Sequence, residues 1–158
     1  MQTTTSLFMY AEPARIYALA CDTPRWPELL PHYRWVRTLE QSADARRRVL
    51  HMAATRDGIP VEWLAEQLCI PCHYRIEFHH IGGVTRGMHV AWTLEGRTRG
   101  THVSIWHSFQ PNWPCVPDVL VQLIIGDFFI DNIARKTLGR FRALAETSPN
   151  LHHMGESR

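Results

Sequence analysis

Histidines and a tyrosine within apolar, strand-like segments are the residues of this chain best suited to chemistry. His51, His80 and His107 each lie near large hydrophobic residues, and Tyr33 follows a proline-containing stretch. An imidazole or a phenol in such surroundings can orient a ligand or exchange a proton with it. The alternative is that each histidine fills a solid core and is satisfied by one backbone carbonyl. Both interpretations require these side chains to face the interior.

A second motif of chemical interest is the segment 69–73, with the sequence C-I-P-C-H. It matches the attachment motif of c-type haem and contains the C-x-x-C of redox and zinc sites. Haem attachment of this kind follows export, for which the N-terminus shows no signal, and a redox C-x-x-C belongs at the start of a helix. A structural zinc needs further ligands, for which only His79 or His89 are candidates. We therefore predict a turn shaped by Pro71, with no cofactor and no metal.

The composition indicates one globular domain. The chain has 158 residues, of which 45% are hydrophobic and 20% charged, and its formal net charge is +2. The sequence has no basic stripe of the kind that nucleic-acid binding requires. With no signal peptide the protein is expected in the cytoplasm, with its four cysteines as thiols. The longest apolar run, 119–130, is too short to span a membrane and predicts a buried helix.

The predicted order of elements is a strand, two short helices, six strands and a long helix. The segment 4–11 has the threonine and β-branched or aromatic content of a strand, and Pro13 suits the first turn of a helix. Turn residues divide the next part of the chain into six segments, each close enough to its neighbour to pair antiparallel. These segments are 33–41, 46–55, 59–68, 73–81, 87–94 and 98–109.

Apolar residues at helical spacing predict one long helix over 118–146. Ile125, Phe129, Ile133, Leu138 and Phe141 recur at intervals of three to five and form one stripe. At 1.5 Å per residue this helix would extend ~40 Å, far enough to cross a whole sheet. The segment 147–158 has no periodicity and is expected to be a flexible tail, which leaves 1–146 as the domain.

This order of elements is that of the helix-grip fold, and the residues resemble the polyketide cyclase/dehydrase family of the START-like, or SRPBCC, superfamily. The resemblance covers 4–146, and its most specific part is the Trp-Pro-Glu-Leu block beginning at Trp26, with Tyr33 downstream. It is also carried by Pro13, Ile16, Tyr17, Asp22, Val61, Glu62, Trp63, Gly87, Met88, Trp92, Gly100, Thr101 and the segment 138–146. It implies an α+β fold in which a seven-stranded curved antiparallel sheet and the C-terminal helix enclose a ligand cavity.

Alternation along the strands assigns residues to the cavity independently of the family, because successive side chains point to opposite faces. In 59–68, Glu62 and Glu66 should face water, which places Trp63 and Gln67 inside. Trp106 falls on the outer face, where only the N-terminal segment is available to cover it. The residues predicted to line the cavity and bind a ligand are Trp26, Tyr33, His51, Trp63, Gln67, Phe78, His80, Met88, Trp92, Ile105, His107, Ile125 and Phe129.

The chemistry that the resemblance implies is aldol closure of a poly-β-keto chain, followed by loss of water. A base must take a proton from a carbon between two carbonyls, and donors must stabilise the enolate. The family places two inward arginines where this chain has Gln67 and His80, and only its tyrosine, Tyr33, is retained. The predicted catalytic residues are therefore Tyr33, His80, His107 and Gln67, of which Gln67 is a weaker donor than a cation.

Two functions remain open on the sequence alone. The first is a cofactor-independent aromatase/cyclase that acts on a hydrophobic poly-β-keto molecule delivered by an acyl carrier protein. The second is a binding or transport protein for a lipid or similar compound without catalysis, since a fold does not establish chemistry. Arginines in 46–48, with Arg97 and Arg99, can receive an acidic carrier protein, although a solvated hairpin end is the preferred explanation.

Overall fold

The computed structural model describes residues 1–56, 58–110 and 127–147 of the chain, most of which belong to strands and helices. The strands are β1 (Gln2–Met9), β2 (Tyr33–Gln41), β3 (Arg47–Arg56), β4 (Ile59–Ile70), β5 (Arg75–Gly83), β6 (His89–Arg97) and β7 (Gly100–Ser108). The helices are α1 (Pro13–Cys21), α2 (Trp26–Leu29) and α3 (Asp127–Glu146), and a 3-10 turn over Thr23–Arg25 joins the first two.

The seven strands form one antiparallel sheet in the order β1-β7-β6-β5-β4-β3-β2. Successive hairpins connect β2 to β7, and β1 pairs with β7 at the opposite edge from β2. The N-terminal ammonium donates a hydrogen bond to the Phe109 carbonyl, with 3.0 Å between nitrogen and oxygen, at the end of this ladder. The inner face of the sheet is covered by α3, in which Leu138 and Phe141 are fully buried. The predicted helix-grip fold is therefore confirmed.

The first strand begins and ends two residues earlier than predicted, at Gln2 and Met9. Met9 is the last residue of β1 to pair, opposite Thr101 of β7. The Thr101 hydroxyl then donates a hydrogen bond of 2.7 Å to the carbonyl of Ala11, which holds the chain as it leaves the sheet. Pro13 opens α1 immediately afterwards.

The C-I-P-C-H segment forms a turn between two strands, as predicted. Pro71–His73 is a 3-10 turn, and Tyr74 follows in the left-handed region with φ of 45°, so β5 begins at Arg75 instead of residue 73. Cys69, still in β4, points inward, where its Sγ lies 2.8 Å from that of Cys21, while Cys72 is exposed. The two cysteines of the motif therefore face different surroundings.

The predicted alternation of faces holds along most of the sheet. On β4, Trp63 and Gln67 are buried and Glu62 is exposed, and on β6 the buried residues include Trp92. The outward Trp106 contacts His89, a neighbour that the sequence did not suggest. The two rings meet edge to face with centroids 5.4 Å apart. Because of this alternation, the aromatic cavity residues lie on one face of the sheet, and Trp106 and His89 are in contact on the other.

The long helix is confirmed over Asp127–Glu146, where buried residues at helical spacing include Ile130, Ala134, Leu138 and Phe141. The predicted helical segment 118–126, the loop before it and the tail from residue 148 lie outside the described residues. Within the described ranges, no helix is both long enough and apolar enough to cross a membrane.

Two glycine substitutions test the close pairing of β1 with β7: Gly100 lies at this pairing, and Gly139 on α3 serves as the control. Gly100→Ala is expected to lower the free energy of unfolding by about 1–3 kcal/mol, because its Cβ would collide with the carbonyl oxygen of Met9 on β1. Gly139→Ala, on the exposed side of α3 where a Cβ meets nothing within 4 Å, is expected to raise it by about 1 kcal/mol. Urea unfolding of both variants measures the difference, and an unchanged Gly100→Ala protein would argue against the close β1–β7 pairing.

Candidate functional site

A cavity of about 90 Å³ lies between the inner face of the sheet and α3. Most of its wall is aromatic or aliphatic, and the polar side chains are few. Of the residues predicted to line it, the structure brings together Trp26, Tyr33, Trp63, Phe78, His80, Met88, Trp92, Ile105 and His107. Ile125 lies outside the described residues, and the side chain of Phe129 is not among those described.

Trp26 lies at the centre of the aromatic wall. It opens α2, whose early proline suits the first helical turn, and its ring meets the rings of four other residues. The centroid distances are 5.2 Å to Tyr33, 5.8 Å to Phe78, 5.8 Å to Trp92 and 5.9 Å to Phe141. Its indole Nε1 is buried and has no hydrogen-bond partner within the described ranges. This N–H is therefore a donor that a ligand can use.

His80 reaches the cavity from β5 and is held on two sides. Its Nδ1 lies 2.7 Å from the hydroxyl of Thr85, a buried residue of the loop between β5 and β6. Its ring stacks on that of Trp63 at 5.8 Å with the two planes nearly parallel. Burial, and secondarily the nearby His107, lowers the pKa of His80 to about 3. The imidazole is therefore neutral at physiological pH and fixed in orientation.

His107 enters the same cavity from β7. Its Nδ1 is buried and, among the described residues, without a hydrogen-bond partner. Burial lowers the pKa of His107 to about 4, although the Asp131 carboxylate acts in the opposite direction. A neutral imidazole with an unused nitrogen can accept a proton or a hydrogen bond from a ligand.

Tyr33 and a threonine on α3 complete the polar part of the wall. Burial raises the pKa of the Tyr33 phenol above its ordinary value, so the hydroxyl keeps its proton and can donate it in a hydrogen bond. The Thr137 hydroxyl lies 3.0 Å from Nε2 of His32. Thr137 and Thr85 were not predicted; Thr137 continues the helical stripe, but Thr85 lies in a turn that no periodicity identifies.

Gln67 faces inward as predicted but does not line the cavity. Its side-chain nitrogen donates to the Thr23 hydroxyl at 2.5 Å and to the Cys21 carbonyl at 3.3 Å, and its oxygen accepts from Arg48 at 3.2 Å. These bonds tie the turn after α1 to β3 and β4. The predicted catalytic role of Gln67 is therefore corrected to a structural one, because its donors and acceptor are already used.

The prediction that His51 faces the cavity is wrong. Met52 lies opposite Trp63 across the β3–β4 ladder, and both are buried, so the adjacent His51 points to the outer face. There its Nε2 lies 3.5 Å from Glu62, its side chain is 32% exposed, and its ring meets that of Trp35 edge to face at 4.5 Å.

Comparison with known proteins identifies the family of this chain. The family described as "Polyketide cyclase / dehydrase and lipid transport" matches residues 9–129, well over half of the chain. The chain belongs to this family. Among curated protein sequences, none matches the chain significantly.

Three solved structures illustrate the shared fold. The Zhui aromatase/cyclase from Streptomyces sp. R1128 superposes with a TM-score of 0.82 at 14% identity, over 92% of this chain and 93% of that one. A protein of Thermus thermophilus gives 0.79 at 20% identity, over 94% and 100% of the two chains. A START superfamily protein from Mycobacterium smegmatis gives 0.73 at 16% identity, over 90% and 98%. At these identities the similarity establishes the fold.

Within the polyketide cyclase/dehydrase fold, this chain has an uncharged cavity wall. Among the described residues that line the cavity there is no lysine, arginine, aspartate or glutamate. The polar groups are instead two neutral imidazoles, a phenol, an indole N–H and threonine hydroxyls. Such a wall can bind a carbonyl compound by hydrogen bonds and can accept a proton, but it offers only neutral donors to an anion.

Replacing Gln67 tests its structural role. Gln67→Leu is expected to lower the free energy of unfolding by about 1–3 kcal/mol, because Arg48 and Thr23 lose a buried partner. Ligand affinity should remain within about twofold, since the side chain does not reach the cavity. Urea unfolding of Gln67→Leu, Thr23→Val and the double variant measures the coupling. If the Gln67→Leu protein has unchanged stability but no longer binds ligand, Gln67 belongs to the ligand site.

The neutral histidines predict that stability falls between pH 7 and pH 5. The folded pKa values of His80 and His107, about 3 and about 4, lie below the ordinary 6.5, so the unfolded chain binds protons that the folded chain does not. This stabilisation is complete above pH 6.5 and is lost as the pH falls towards the folded values. Each histidine accounts for a loss of at most about 2 kcal/mol in the free energy of unfolding between pH 7 and pH 5.

Urea unfolding at both pH values measures this loss. The His80→Gln/His107→Gln variant should show a weaker pH dependence than the unchanged chain. It should keep part of the dependence, because burial also lowers the pKa of His32, to about 4. An equally steep loss in the double variant would mean that the cavity histidines are already protonated or hydrated in the folded protein.

Proposed function

We propose that this protein binds a hydrophobic, carbonyl-bearing molecule of the poly-β-keto class and promotes its aldol cyclisation and dehydration. The observation that supports this most directly is the presence of two neutral histidines on one apolar cavity with the protonated phenol of Tyr33. The two histidines come from different strands, β5 and β7, and line the same cavity.

The residues divide between a base and hydrogen-bond donors. His107 has an unused buried nitrogen and is the better base, because Nδ1 of His80 already contacts Thr85. The base takes a proton from the carbon between two carbonyls, and that carbon then forms the new bond to a third carbonyl. The oxygen of that third carbonyl takes the proton back from the imidazolium and becomes a hydroxyl. In the dehydration, the same base removes the second proton of the attacking carbon, the C–O bond breaks, and the imidazolium gives this proton to the departing hydroxide, which leaves as water. Tyr33 and the Trp26 N–H donate to the enolate oxygen.

The size of the cavity sets a condition on this proposal. Its volume of about 90 Å³ is below the roughly 300–1,000 Å³ of sites that hold drug-sized ligands. The wall must therefore rearrange to admit a polyketide chain.

A second function has its own support. Among the described residues, the cavity wall is uncharged and Gln67 has a structural role, so these residues offer an enolate only neutral donors. This weakens the case for catalysis without affecting apolar binding. The alternative is therefore a non-catalytic carrier of a lipid or a similar hydrophobic molecule. In that case the histidines and Tyr33 orient a polar group of the ligand and take no part in a reaction.

Delivery of the substrate by an acyl carrier protein belongs to the cyclase proposal. The arginine cluster 46–48, with Arg97 and Arg99, lies at the end of the sheet that holds the β2–β3 and β6–β7 turns. The cavity residues His80, Thr85 and Met88 lie towards the other end. Three of the arginines are also paired: Arg46 with Asp44 at 3.8 Å, Arg47 with Glu66 at 3.0 Å and Arg97 with Glu95 at 2.7 Å. A carrier protein would therefore dock elsewhere.

Native mass spectrometry of protein purified from its host, followed by identification of any released molecule, distinguishes the two functions. A linear or partly cyclised polyketide supports the cyclase. A fatty acid or isoprenoid held unchanged and in stoichiometric amount supports the carrier.

Turnover of a synthetic poly-β-keto thioester then tests the residue roles. His107→Gln is expected to reduce the cyclisation rate by about 10²–10⁴-fold, as loss of a general base does, and Tyr33→Phe should reduce it less. His51→Gln is the matched control, because this histidine faces the opposite side of the sheet. Equal rates for His107→Gln and the unchanged protein, or equal losses in the control, would exclude the assigned base.

A further inference from the structure

Three side chains that can bind a metal converge on the outer face of the sheet. Glu77 and His79 are two residues apart on β5, and His89 lies directly opposite His79 on β6. The Oε2 atom of Glu77 lies 3.7 Å from Nε2 of His79 and 3.6 Å from Nε2 of His89. All three ligand atoms lie within 4.8 Å of one another. We propose that these residues bind one divalent transition-metal ion, of which zinc fits the ligand set best.

The spacing of the ligand atoms is close to what zinc requires. Zinc bonds of ~2.0–2.1 Å to nitrogen and oxygen place neighbouring tetrahedral ligands ~3.4 Å apart. The carboxylate is already near that distance from both imidazoles. The two imidazole rings are stacked, with centroids 4.1 Å apart, so their side chains must rotate out of the stack to direct both Nε2 atoms at one ion. Two imidazoles and one carboxylate form a set that zinc uses with water as its fourth ligand.

His89 gives the site an independent indication. Its Nε2 is buried yet has no hydrogen-bond partner among the described residues, and 3.6 Å from the carboxylate is too long for one. The Trp106 ring packs against the imidazole at 5.4 Å and covers it from one side. A bound ion would satisfy the unpaired nitrogen.

Arg75 orients the carboxylate from behind. Its Nε donates to Oε1 of Glu77 at 2.6 Å, which leaves Oε2 directed at the two histidines. Hydrogen-bonded ligands of this kind are common around protein-bound metals. The positive charge of Arg75 also opposes the cation, so Arg75→Gln, which keeps a donor and removes the charge, should not abolish binding.

The proposed ion would join two strands and is separate from the cavity. Glu77, His79 and His89 point away from their inward neighbours, Phe78 on β5 and Val90 on β6. An ion here would link the β5–β6 hairpin from the outer side. The site also does not use the C-I-P-C-H motif, since Cys69 faces inward and Cys72 lies at the preceding turn.

Calorimetric titration of the full, untagged, metal-free chain with Zn²⁺ tests the proposal. One ion should bind per chain, with release of any protons that the ligand side chains carry. His79→Ala, His89→Ala and Glu77→Gln should each weaken binding at least about tenfold. Because these residues are on the sheet surface, thermal unfolding of each variant confirms that it still folds.

Other residues whose side chains can bind Zn²⁺ supply the controls. His102→Ala removes an outward histidine of β7 that faces Glu95, a single pair without a third ligand among the described residues. Cys72→Ser and His152→Ala/His153→Ala test the exposed thiol and the histidines near the end of the sequence. Affinity that is retained in these three proteins and lost in the His79 and His89 variants supports the site. No saturable binding by the unchanged chain, or an equal loss in any control, overturns it.

Discussion

The contact between the inner face of the sheet and α3, made through Trp26, is the interaction on which the rest of the structure depends. The ring of Trp26 meets aromatic residues of β2, β5, β6 and α3, so one side chain joins the N-terminal helices, the sheet and the C-terminal helix. A sheet with one apolar face must bury it, and a single helix crossing that face covers the middle better than the ends. The cavity is what remains beside Trp26.

The same burial determines the chemistry of the site. Water is displaced around His80 and His107, which holds both imidazoles neutral. It also leaves polar atoms such as the Trp26 indole nitrogen without partners inside the described protein. Unsatisfied buried groups cost stability, and proteins that retain them commonly do so at functional sites. A ligand that forms hydrogen bonds with these atoms would therefore stabilise the folded protein.

The two faces of the sheet carry different kinds of site because side chains alternate. Inward residues of β5 and β6 contribute Phe78, His80 and Trp92 to the apolar cavity. The intervening outward positions bring Glu77, His79 and His89 together in partial contact with water. In the two proposals, this hairpin therefore contributes to an organic-ligand site on one side and to a metal site on the other, with the backbone between them.

The sequence by itself determined the order of elements, the fold and most of the inward residues, because hydrophobic periodicity and turn residues are local signals. Tertiary structure decided the orientation of His51. Its neighbours Leu50, Met52, Ala53 and Ala54 are all apolar, and the pairing of Met52 with Trp63 selects the inward face of β3. Tertiary structure likewise decided the role of Gln67, whose partners Thr23 and Arg48 are distant in the chain. Hydrogen-bond partners and strand register depend on three-dimensional proximity, which local patterns do not specify.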